Sequence, residues 1–353
     1  MALIGGQTQT ELFTIRETPG AGRGVFADVD MAAGTTLWRA DDLTAHVVLR
    51  EYRGEVCWEC FGYNRGRKLP VRDATHGFTF CSAACAAGFK ARYDEVCLQT
   101  WAAVYQSSQA RAQKAKEGPG PAPAGDETPA KPTGQVINEA WDSAVATAAF
   151  IIDVRTAGAK ATKAQKRALQ LAATRVVPST DVLTFQTHAL LTRYISPSHW
   201  AAILSLADEP CPYTTQQELQ DHITAYLHLA AIVPPALLPL LATADTLRTA
   251  KSREVHNSFG IRSLEDAGSE FFGYGCWPSA SFFNHSCRPN VRRRRTGRVW
   301  TFEAACEIPS GRQLCISYLN GEEDALDLAE RRARLCKTWG FSCACERCGS
   351  SQS

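Results

Sequence analysis

The sequence lacks an excess of charge, a secretory leader and an unbroken membrane-spanning run. Its net charge is +2 over 353 residues, so no overall field favours nucleic acid or an anionic membrane as a partner. Residues 1–10 show no basic region followed by an apolar one, so we expect no secretory signal and a cytoplasmic or nuclear protein. Residues 223–244 are mostly apolar, but Pro234 and Pro235 interrupt them. We therefore expect two buried helices there rather than a membrane span.

Cysteine, by contrast, is abundant, with 14 residues. In a reducing compartment such cysteines cannot be presumed to form disulfides, and short spacings favour metal ligation. A stretch of 20 residues separates the pair Cys57 and Cys60 from the pair Cys81 and Cys85. Two such pairs are typical of a structural zinc site, and four thiolates leave no open coordination position. Buried free cysteines are the alternative interpretation.

A second cysteine group lies near the C-terminus, where Cys343, Cys345 and Cys348 fall within six residues. A tight loop can point three thiolates at one ion, but tetrahedral zinc needs a fourth ligand from elsewhere in the chain. Three unrelated small residues are the alternative, which the density of cysteines disfavours. We expect the cysteines outside the two groups to be small core residues.

The chain changes along its length from strands to helices and back. Apolar residues recur at helical spacing between Asn138 and about Arg253, which predicts four to six helices. Residues 98–116 are also predicted to be helical, and the Pro- and Gly-rich residues 117–135 predict a flexible segment. Strands are predicted within 13–38 and again at 282–283, 299–302 and 314–318, before an amphipathic helix over 324–337.

The most specific signal is the segment Asn284–Asn290, which reads NHSCRPN and is followed by Ile316–Tyr318. Gly22–Phe26 contains two glycines that allow a backbone to approach a ligand closely. Together with Asn257–Phe259 and the C-terminal cysteines, these segments resemble, in order, the motifs of SET-domain lysine methyltransferases. Residues 57–97 resemble a MYND zinc finger. The chain therefore resembles the SET and MYND family over nearly its whole length.

The resemblance implies an α+β fold, in which a SET β-fold of small sheets with a pseudoknot is interrupted by the zinc module and a large helical insertion. A post-SET zinc loop closes this fold. The implied divisions are 9–50 for the N-terminal part of the SET domain, 51–98 for a reduced MYND-like module, 99–250 for the helical insertion, 251–320 for the core SET domain and 321–349 for the post-SET helix and loop. The chain resembles the shorter fungal-type members, which lack a C-terminal helical repeat region.

The resemblance also implies a site for S-adenosylmethionine (SAM). The residues that would bind SAM are Gly22, Arg23, Gly24, Val25, Asn257, Asn284, His285 and Phe341, the last by stacking on the adenine. Tyr318 would be the catalytic tyrosine, and Phe259, Tyr318 and Trp339 would form the walls of a channel for the substrate lysine. Cys287 would supply the missing thiolate of the C-terminal group, so two structural zinc ions are expected.

Two departures from the family pattern bear on function. Trp339 stands where relatives usually carry tyrosine, so the sequence does not predict how many methyl groups are added. The MYND finger usually holds two zinc ions, but here its second C-x-x-C is missing. Arg92 stands near the expected histidine, and Cys97 is left alone. We therefore expect a single zinc ion in this module, with Cys57, Cys60, Cys81 and Cys85 as its ligands.

Methyl transfer to lysine depends mainly on positioning. A free lysine has a pKa of about 10.4, and a desolvating channel beside a positive sulfonium favours the neutral amine that must attack. The predicted function is SAM-dependent protein lysine N-methyltransferase, acting on a histone or non-histone protein as a monomer. The alternative is an inactive, zinc-stabilised interaction module that keeps the SET fold. A DNA-binding finger is disfavoured because the C-x-x-C to H-x-x-x-H spacing and a recognition helix are missing.

The basic run Arg292–Arg295 could suggest contact with nucleic acid. Successive side chains on a strand point to opposite faces, however, so these four cannot form one surface. We therefore interpret the run as a solvated strand and do not expect direct binding of nucleic acid.

Overall fold

The computed structural model describes residues 3–4, 7–8, 11–18, 20–115, 130–265, 268–319 and 324–349. Strands dominate the two ends of this described chain, and helices dominate its middle. The strands are β1 (Leu3–Ile4), β2 (Gln7–Thr8), β3 (Phe13–Thr18), β4 (Gly22–Ala27), β5 (Thr36–Ala40), β6 (Ala45–Val48), β7 (Val71–Asp73), β8 (Phe78–Phe80), β9 (Ser258–Arg262), β10 (Phe271–Cys276), β11 (Asn284–His285), β12 (Val291–Thr296), β13 (Val299–Ala304) and β14 (Gln313–Ile316).

The α-helices of the described residues occupy the region between β6 and β9, except for two that follow β14. The α-helices are α1 (Ala83–Arg92), α2 (Glu95–Ala115), α3 (Gly134–Ala157), α4 (Lys163–Ala173), α5 (Thr180–Ile195), α6 (Pro197–Leu204), α7 (Gln216–Ile232), α8 (Asp245–Asn257), α9 (Leu328–Trp339) and α10 (Glu346–Gly349). The short 3-10 helices are Arg50–Tyr52, Gly158–Lys160, Pro235–Leu241 and Pro278–Ala280.

Strands from opposite ends of the chain pair with each other in three small sheets. Their strand orders are β11-β14-β4-β3, β12-β13-β5 and β6-β10-β9. In β4 the side chains alternate, so that Val25 and Ala27 are buried while Phe26 between them is only half-buried. The sheets therefore close only when the N-terminal strands meet those that follow residue 257, and the zinc module and helices form an insertion between them.

The helical insertion packs around α7. All five apolar residues that the helical spacing singles out on this helix are buried: Leu219, Ile223, Tyr226, Leu227 and Ala230. Helix α7 contacts α3 and α5, and α5 in turn packs on β6 of the SET sheets. Six α-helices lie between residues 134 and 257, at the upper end of the number predicted. Among the described residues, no helix is both long and apolar enough to cross a membrane.

The zinc module packs against the insertion through aromatic rings. Trp58 stacks on Phe78 of β8 with ring centroids 4.0 Å apart, and Trp101 of α2 meets Phe78 edge-on at 5.2 Å. Trp101 also meets His188 of α5 at 4.8 Å. Phe78 and Trp101 are 7% and 1% exposed, and burying such large rings is a major source of stability. The module is therefore joined to the insertion by a shared core.

Several predicted elements differ in detail from the structure. Residues 282–283 are not a strand: Phe282 lies in a turn and Phe283 in an irregular segment before β11. Both phenylalanines are buried, and Phe283 stacks on Phe302 with ring centroids 4.5 Å apart. The strand predicted over 314–318 ends at residue 316. The last long helix begins at Leu328 rather than at residue 324, because Asp327 and Glu330 form a capping box there.

The predicted flexible segment 117–135 lies mostly outside the described residues, and its last two residues begin α3. The predicted fold class is confirmed: the structure is α+β, with small sheets, a helical insertion and two groups of four cysteines.

Candidate active site and metal centres

The C-terminal cysteine group forms where the loop after α9 meets the segment after β11. Its four sulfur atoms, from Cys287, Cys343, Cys345 and Cys348, all lie within 4.8 Å of one another. The Sγ of Cys287 is 3.6 Å from that of Cys348 and 3.9 Å from that of Cys343. Four sulfurs at about 2.3 Å from a tetrahedral zinc lie about 3.8 Å apart, whereas disulfide sulfurs lie about 2.05 Å apart. The arrangement fits a zinc ion held by four thiolates.

Three arginines surround this group. Arg331 is only 4% exposed; its Nη1 donates to the backbone oxygen of Leu326 at 2.7 Å, and its guanidinium lies beside the side chains of Cys348 and Cys287. Arg332 donates to the backbone oxygen of Cys343 at 3.3 Å, and Arg347 donates to that of Cys287 at 3.2 Å. A zinc ion held by four thiolates carries a net negative charge, which the Arg331 guanidinium would stabilise. The sequence analysis missed this role, and no local pattern around Arg331 indicates it.

The N-terminal cysteine group forms in the zinc module. The sulfurs of Cys57, Cys60, Cys81 and Cys85 lie within 4.8 Å of one another. Sγ of Cys81 is 3.6 Å from that of Cys60 and 3.5 Å from that of Cys85, which again fits the edges of a tetrahedron around zinc. Ser82 caps α1 and accepts the N–H of Cys85, which holds that ligand at the start of the helix.

The isolated cysteine of the module is separate from this group. Cys97 is buried in α2 and belongs to neither cysteine cluster found among the described residues. Arg92, near the position where the family carries histidine, forms an ion pair with Glu59. This geometry agrees with a single metal ion in the module. Not all other cysteines are core residues as expected, since Cys306 and Cys336 are exposed.

The glycine-containing segment Gly22–Phe26 is in close contact with the NHSCRPN segment. The side-chain amide of Asn284 donates to the backbone oxygen of Arg23 at 3.1 Å. A Cβ atom built on Gly24 would lie 2.4 Å from the amide nitrogen of Gln313 and 2.8 Å from that of Asn284. A side chain at position 24 would therefore displace the side-chain amides of Gln313 and Asn284. Gly22, in contrast, has a φ of +64° and would place a Cβ with no atom within 4 Å.

His285 links the NHSCRPN segment to the segment Ile316–Tyr318. Because β11 pairs in parallel with β14, the imidazole lies beside the end of β14. Its Nδ1 accepts the backbone N–H of Tyr318 at 3.0 Å, so the ring's own hydrogen lies on Nε2, 3.3 Å from the sulfur of Cys287. This side chain thus connects the C-terminal metal group to the candidate catalytic tyrosine.

Asn290, at the end of the same motif, anchors it on β14. Its amide nitrogen donates to the backbone oxygen of Gln313 at 2.9 Å, and its amide oxygen accepts the N–H of Cys315 at 2.8 Å. These paired bonds replace strand pairing where the chain turns away from the sheet. The sequence analysis quoted Asn290 in the motif but assigned it no role.

The three predicted channel residues line one cavity. Phe259, Tyr318 and Trp339 border a space of about 260 Å³, and Asn257 also borders it. The rings of Tyr318 and Trp339 lie 5.1 Å apart. The Tyr318 hydroxyl donates to the backbone oxygen of Phe283 at 3.0 Å. Burial raises the pKa of Tyr318 to about 12, so the phenol stays protonated and acts as a hydrogen-bond donor.

Basic side chains that sequence reasoning missed also border this cavity. They are His256, Arg262 and Arg293, and no Asp or Glu lines the space. The Arg293 guanidinium lies 5.2 Å from the ring centroid of Phe259, and that of Arg262 lies 5.4 Å from that of Phe271. The cavity is therefore aromatic and positively charged.

The basic strand β12 is not uniformly solvated as the sequence analysis predicted. Arg292 and Arg294 are exposed, but Arg293 is half-buried and Arg295 is only 3% exposed. Arg295 donates to the backbone oxygens of Gly297 at 2.8 Å and Arg262 at 2.6 Å. The alternation of faces agrees with the prediction, and the aromatic surface beneath the strand explains why two of the four side chains turn inward.

The remaining predicted cofactor residues lie around this junction. Phe341 is half-buried, with its ring 6.2 Å from that of His285 and 6.4 Å from that of Tyr318. Asn257 ends α8, where its amide nitrogen donates to the backbone oxygen of Arg253 at 2.7 Å. The structure thus places the predicted residues near one another, and their roles toward SAM remain predictions.

Three small sheets, one of which contains the parallel β11–β14 pair, and two groups of four cysteines define an α+β protein with two candidate metal sites. A family model described as "SET domain" matches residues 22–319. The chain therefore belongs to the SET domain family. The "Potential protein lysine methyltransferase SET6" of Saccharomyces cerevisiae is 26% identical over 372 aligned residues, which cover 96% of this chain and 95% of that protein. This nearly full-length match agrees with the resemblance to shorter fungal-type members.

Other relatives match over shorter stretches. "Histone-lysine N-methyltransferase ASHR2" of Arabidopsis thaliana is 30% identical over 135 residues, covering 35% of this chain and 33% of that protein. A "SET and MYND domain-containing protein" of Dictyostelium discoideum is 40% identical over 97 residues, covering 27% of this chain and 22% of that protein. The chain thus matches a third or less of the length of these two relatives.

Proposed function

We propose that this protein is a SAM-dependent protein lysine N-methyltransferase. The observation that carries the proposal is the aromatic cavity of about 260 Å³ in which Phe259, Tyr318 and Trp339 meet. Membership of the SET domain family and relatives named as lysine methyltransferases support it. A narrow aromatic space suits the apolar stem of a lysine side chain.

The residues present fit a SAM molecule held at the junction of β4 and β11. We propose that Gly22, Arg23, Gly24, Val25, Asn257, Asn284, His285 and Phe341 bind it. Gly22 borders open space, and Phe341 offers a half-buried aromatic face beside His285. When bound, SAM supplies the methyl group on a positively charged sulfonium.

The charge around the cavity favours the neutral form of a substrate lysine. A free lysine has a pKa of about 10.4, and both burial and nearby positive charge lower that pKa. Arg262 and Arg293 border the cavity, and no Asp or Glu lines it, whereas His256 in the same lining is paired with Glu209 at 3.0 Å. The protein therefore needs no dedicated general base, because its own cations discourage protonation of the amine that attacks.

Tyr318 orients the reacting groups in this proposal. Its hydroxyl remains protonated because burial raises its pKa to about 12, and its backbone N–H is fixed by His285. A rigid, buried phenol at the end of a narrow channel restricts the directions from which an amine can approach. We propose that this positioning supplies a large part of the rate.

The test combines cofactor binding with methyl transfer. Titration calorimetry of the zinc-replete full chain is expected to detect SAM and its demethylated product. Incubation with methyl-labelled SAM and a proteome array is expected to label lysines on specific proteins, histone or non-histone. A folded, zinc-replete protein that binds no SAM would contradict the proposal and would favour the alternative, an inactive zinc-stabilised interaction module.

A further inference from the structure

A second cavity lies between the zinc module and the helical insertion, and none of the candidate active-site residues lines it. Its volume is about 540 Å³, which is within the usual range for binding sites of about 300–1,000 Å³. The β7–β8 hairpin and the residues around it form one wall, α2 forms another, and the segment 176–184 that leads into α5 forms a third. We refer to it as the module–insertion cavity.

The floor of this cavity is apolar. Phe78, Trp101, Val104 and Val177 line it and are between 1% and 7% exposed. Val176, also in the lining, is 67% exposed. Covering exposed apolar surface of this kind is worth roughly 25 cal/mol per Å². The floor therefore suits one or two apolar side chains of a ligand.

The rim of the cavity is positively charged. Arg50, Lys68 and Arg72 line it and are exposed, whereas no Asp or Glu does. Within the part of the chain that the structure describes, none of these three side chains forms an ion pair. Arg53 differs, because it is tied to Asp181 at 2.6 Å and to Thr184 at 3.0 Å. Three cations thus remain available to a ligand.

The walls are held together tightly. Gly77, at the hairpin turn, has a φ of +78°, and a Cβ built on it would lie 2.1 Å from the ring of Tyr105 on α2. Arg72 donates to the Tyr105 hydroxyl at 3.3 Å, and His76 contacts Asp73 at 2.8 Å. A site whose walls are already packed together loses little conformational freedom on binding.

We propose that the module–insertion cavity is a docking site for a short segment of another protein that combines apolar side chains with flanking acidic ones. The apolar floor takes the anchor side chains, and the three rim cations attract the acids. Nucleic acid fits less well, because stacking needs a freely accessible ring face. Phe78 and Trp101 are buried, and Tyr105, which also lines the cavity, is half-buried against Gly77 and Arg72. The site does not depend on methyl transfer and goes beyond it.

The test begins with a randomised short-peptide library displayed on phage and selected against the zinc-replete full chain. Counter-selection uses the triple variant Arg50→Glu, Lys68→Glu, Arg72→Glu, whose changes all lie on exposed side chains. The expected result is enrichment of peptides with apolar anchors beside Asp or Glu. Enrichment of basic peptides, or none above the counter-selection, would overturn the proposal.

An enriched peptide, synthesised with a fluorescent label, then gives affinities by anisotropy. Arg72→Glu alone is expected to weaken binding about 10-fold or more and to reduce its salt dependence. Val176→Ser is expected to weaken it by a smaller factor, because only apolar contact is lost. Arg294→Glu is the matched control, since Arg294 is exposed on β12 and does not line the cavity.

Two further outcomes would also overturn the proposal. Displacement of the peptide by single-stranded DNA, together with stronger DNA binding, would mark the rim as a nucleic-acid surface. Peptide binding that appears only after deletion of residues 117–129, which include Glu117, Asp126 and Glu127, would mean that the chain's own segment is the occupant.

Unchanged SAM affinity in the triple variant would show that the fold is intact.

Discussion

The two cysteine groups use the same ligand chemistry but are assembled differently. The ligands of the N-terminal group come from one stretch of the chain, residues 57–85, and Cys81 is exposed. The C-terminal group instead joins Cys287 to residues 343–348, and three of its four ligands are buried. It also contacts the candidate active site, because His285 reaches both Cys287 and Tyr318.

Because the two cysteine groups are assembled differently, we expect a metal ion in each of them to have a different role. A group closed within one short stretch stabilises that stretch and the surface it presents. A group closed across the fold holds a distant segment in place, here the tail that carries Phe341 and Trp339 beside the cavity. Loss of the first metal is therefore expected to affect the zinc module, and loss of the second to affect the site itself.

The largest expected effect follows from Cys343→Ser. This change removes one ligand of the C-terminal metal, so the loop that carries Phe341 should loosen. We expect SAM affinity to fall at least about 10-fold and methyl transfer to fall with it. Calorimetry and labelled-methyl assays measure the two quantities. Cys336→Ser is the matched control, since Cys336 is exposed on α9 outside both groups. Normal SAM binding by Cys343→Ser would show that the tail is held in another way.

Tyr318→Phe is expected to separate binding from turnover. It removes one buried hydroxyl, which donates to the backbone oxygen of Phe283, and leaves the C-terminal metal group intact. Turnover on a verified substrate should fall about 10- to 1000-fold, the range for losing one positioned polar group. SAM affinity should change little. Full methyl transfer by this variant would mean that the hydroxyl does not orient the reacting groups.

Cys81→Ser addresses the N-terminal group alone. We expect the metal content measured by elemental analysis to fall from two zinc ions per chain to one. Thermal unfolding should shift to lower temperature, and binding at the module–insertion cavity should weaken, because the β7–β8 hairpin loses its anchor. SAM affinity should change by no more than a small factor. Three zinc ions in the unmodified chain would contradict a single ion in this module.

The smallest expected effect concerns two histidines beneath the zinc module. His46 and His188 are fully buried, with ring centroids 4.2 Å apart. Burial, with the nearby charges of Arg298 and Arg92, lowers the pKa of His188 well below its usual value. The pKa of His46 is also well below its usual value, because of burial, the neighbouring His188 and the same two arginines. The unfolded chain therefore binds more protons than the folded one below about pH 6.5, so stability falls as pH falls.

His188→Leu tests this sign. The free energy of unfolding is measured by urea titration at about pH 7 and about pH 5.5. It is expected to fall between these pH values in the unmodified chain, and to fall by about 1 kcal/mol less in the variant. A change that only damages packing would lower stability equally at both pH values. Equal loss in the two proteins would show that His188 is not kept neutral by the fold.

Much of the site could be predicted because the chemistry requires particular residue types. Thiolates at short spacing, the NHSCRPN segment and the helical periodicity of α7 are all local signals. The structure groups the eight cysteines as predicted and brings Phe259, Tyr318 and Trp339 to one cavity. Residues 282–283 were wrongly predicted as a strand, because two adjacent buried phenylalanines give the same local signal in a strand and in an irregular segment.

Other features could not be predicted because they depend on contacts between distant residues. Nothing near Arg331 in the sequence indicates that it is buried beside the side chains of Cys287 and Cys348. Likewise, nothing in the basic run Arg292–Arg295 indicates that Arg295 is only 3% exposed. The module–insertion cavity likewise needs three segments, around β7–β8, α2 and the start of α5, that are separate in the chain.

The sequence by itself determined which groups can bind a metal, since this follows from the chemistry and the spacing of cysteine. Only the tertiary structure decided where those groups act. Strand pairing between the ends of the chain places Gly24 against Asn284 and Cys287 near Cys343. Burial then determines which arginines stay in solvent and which lie against the cysteine sulfurs. The physical reason is that coordination and packing are short-ranged, so each requires atoms within a few ångströms, whatever their separation along the chain.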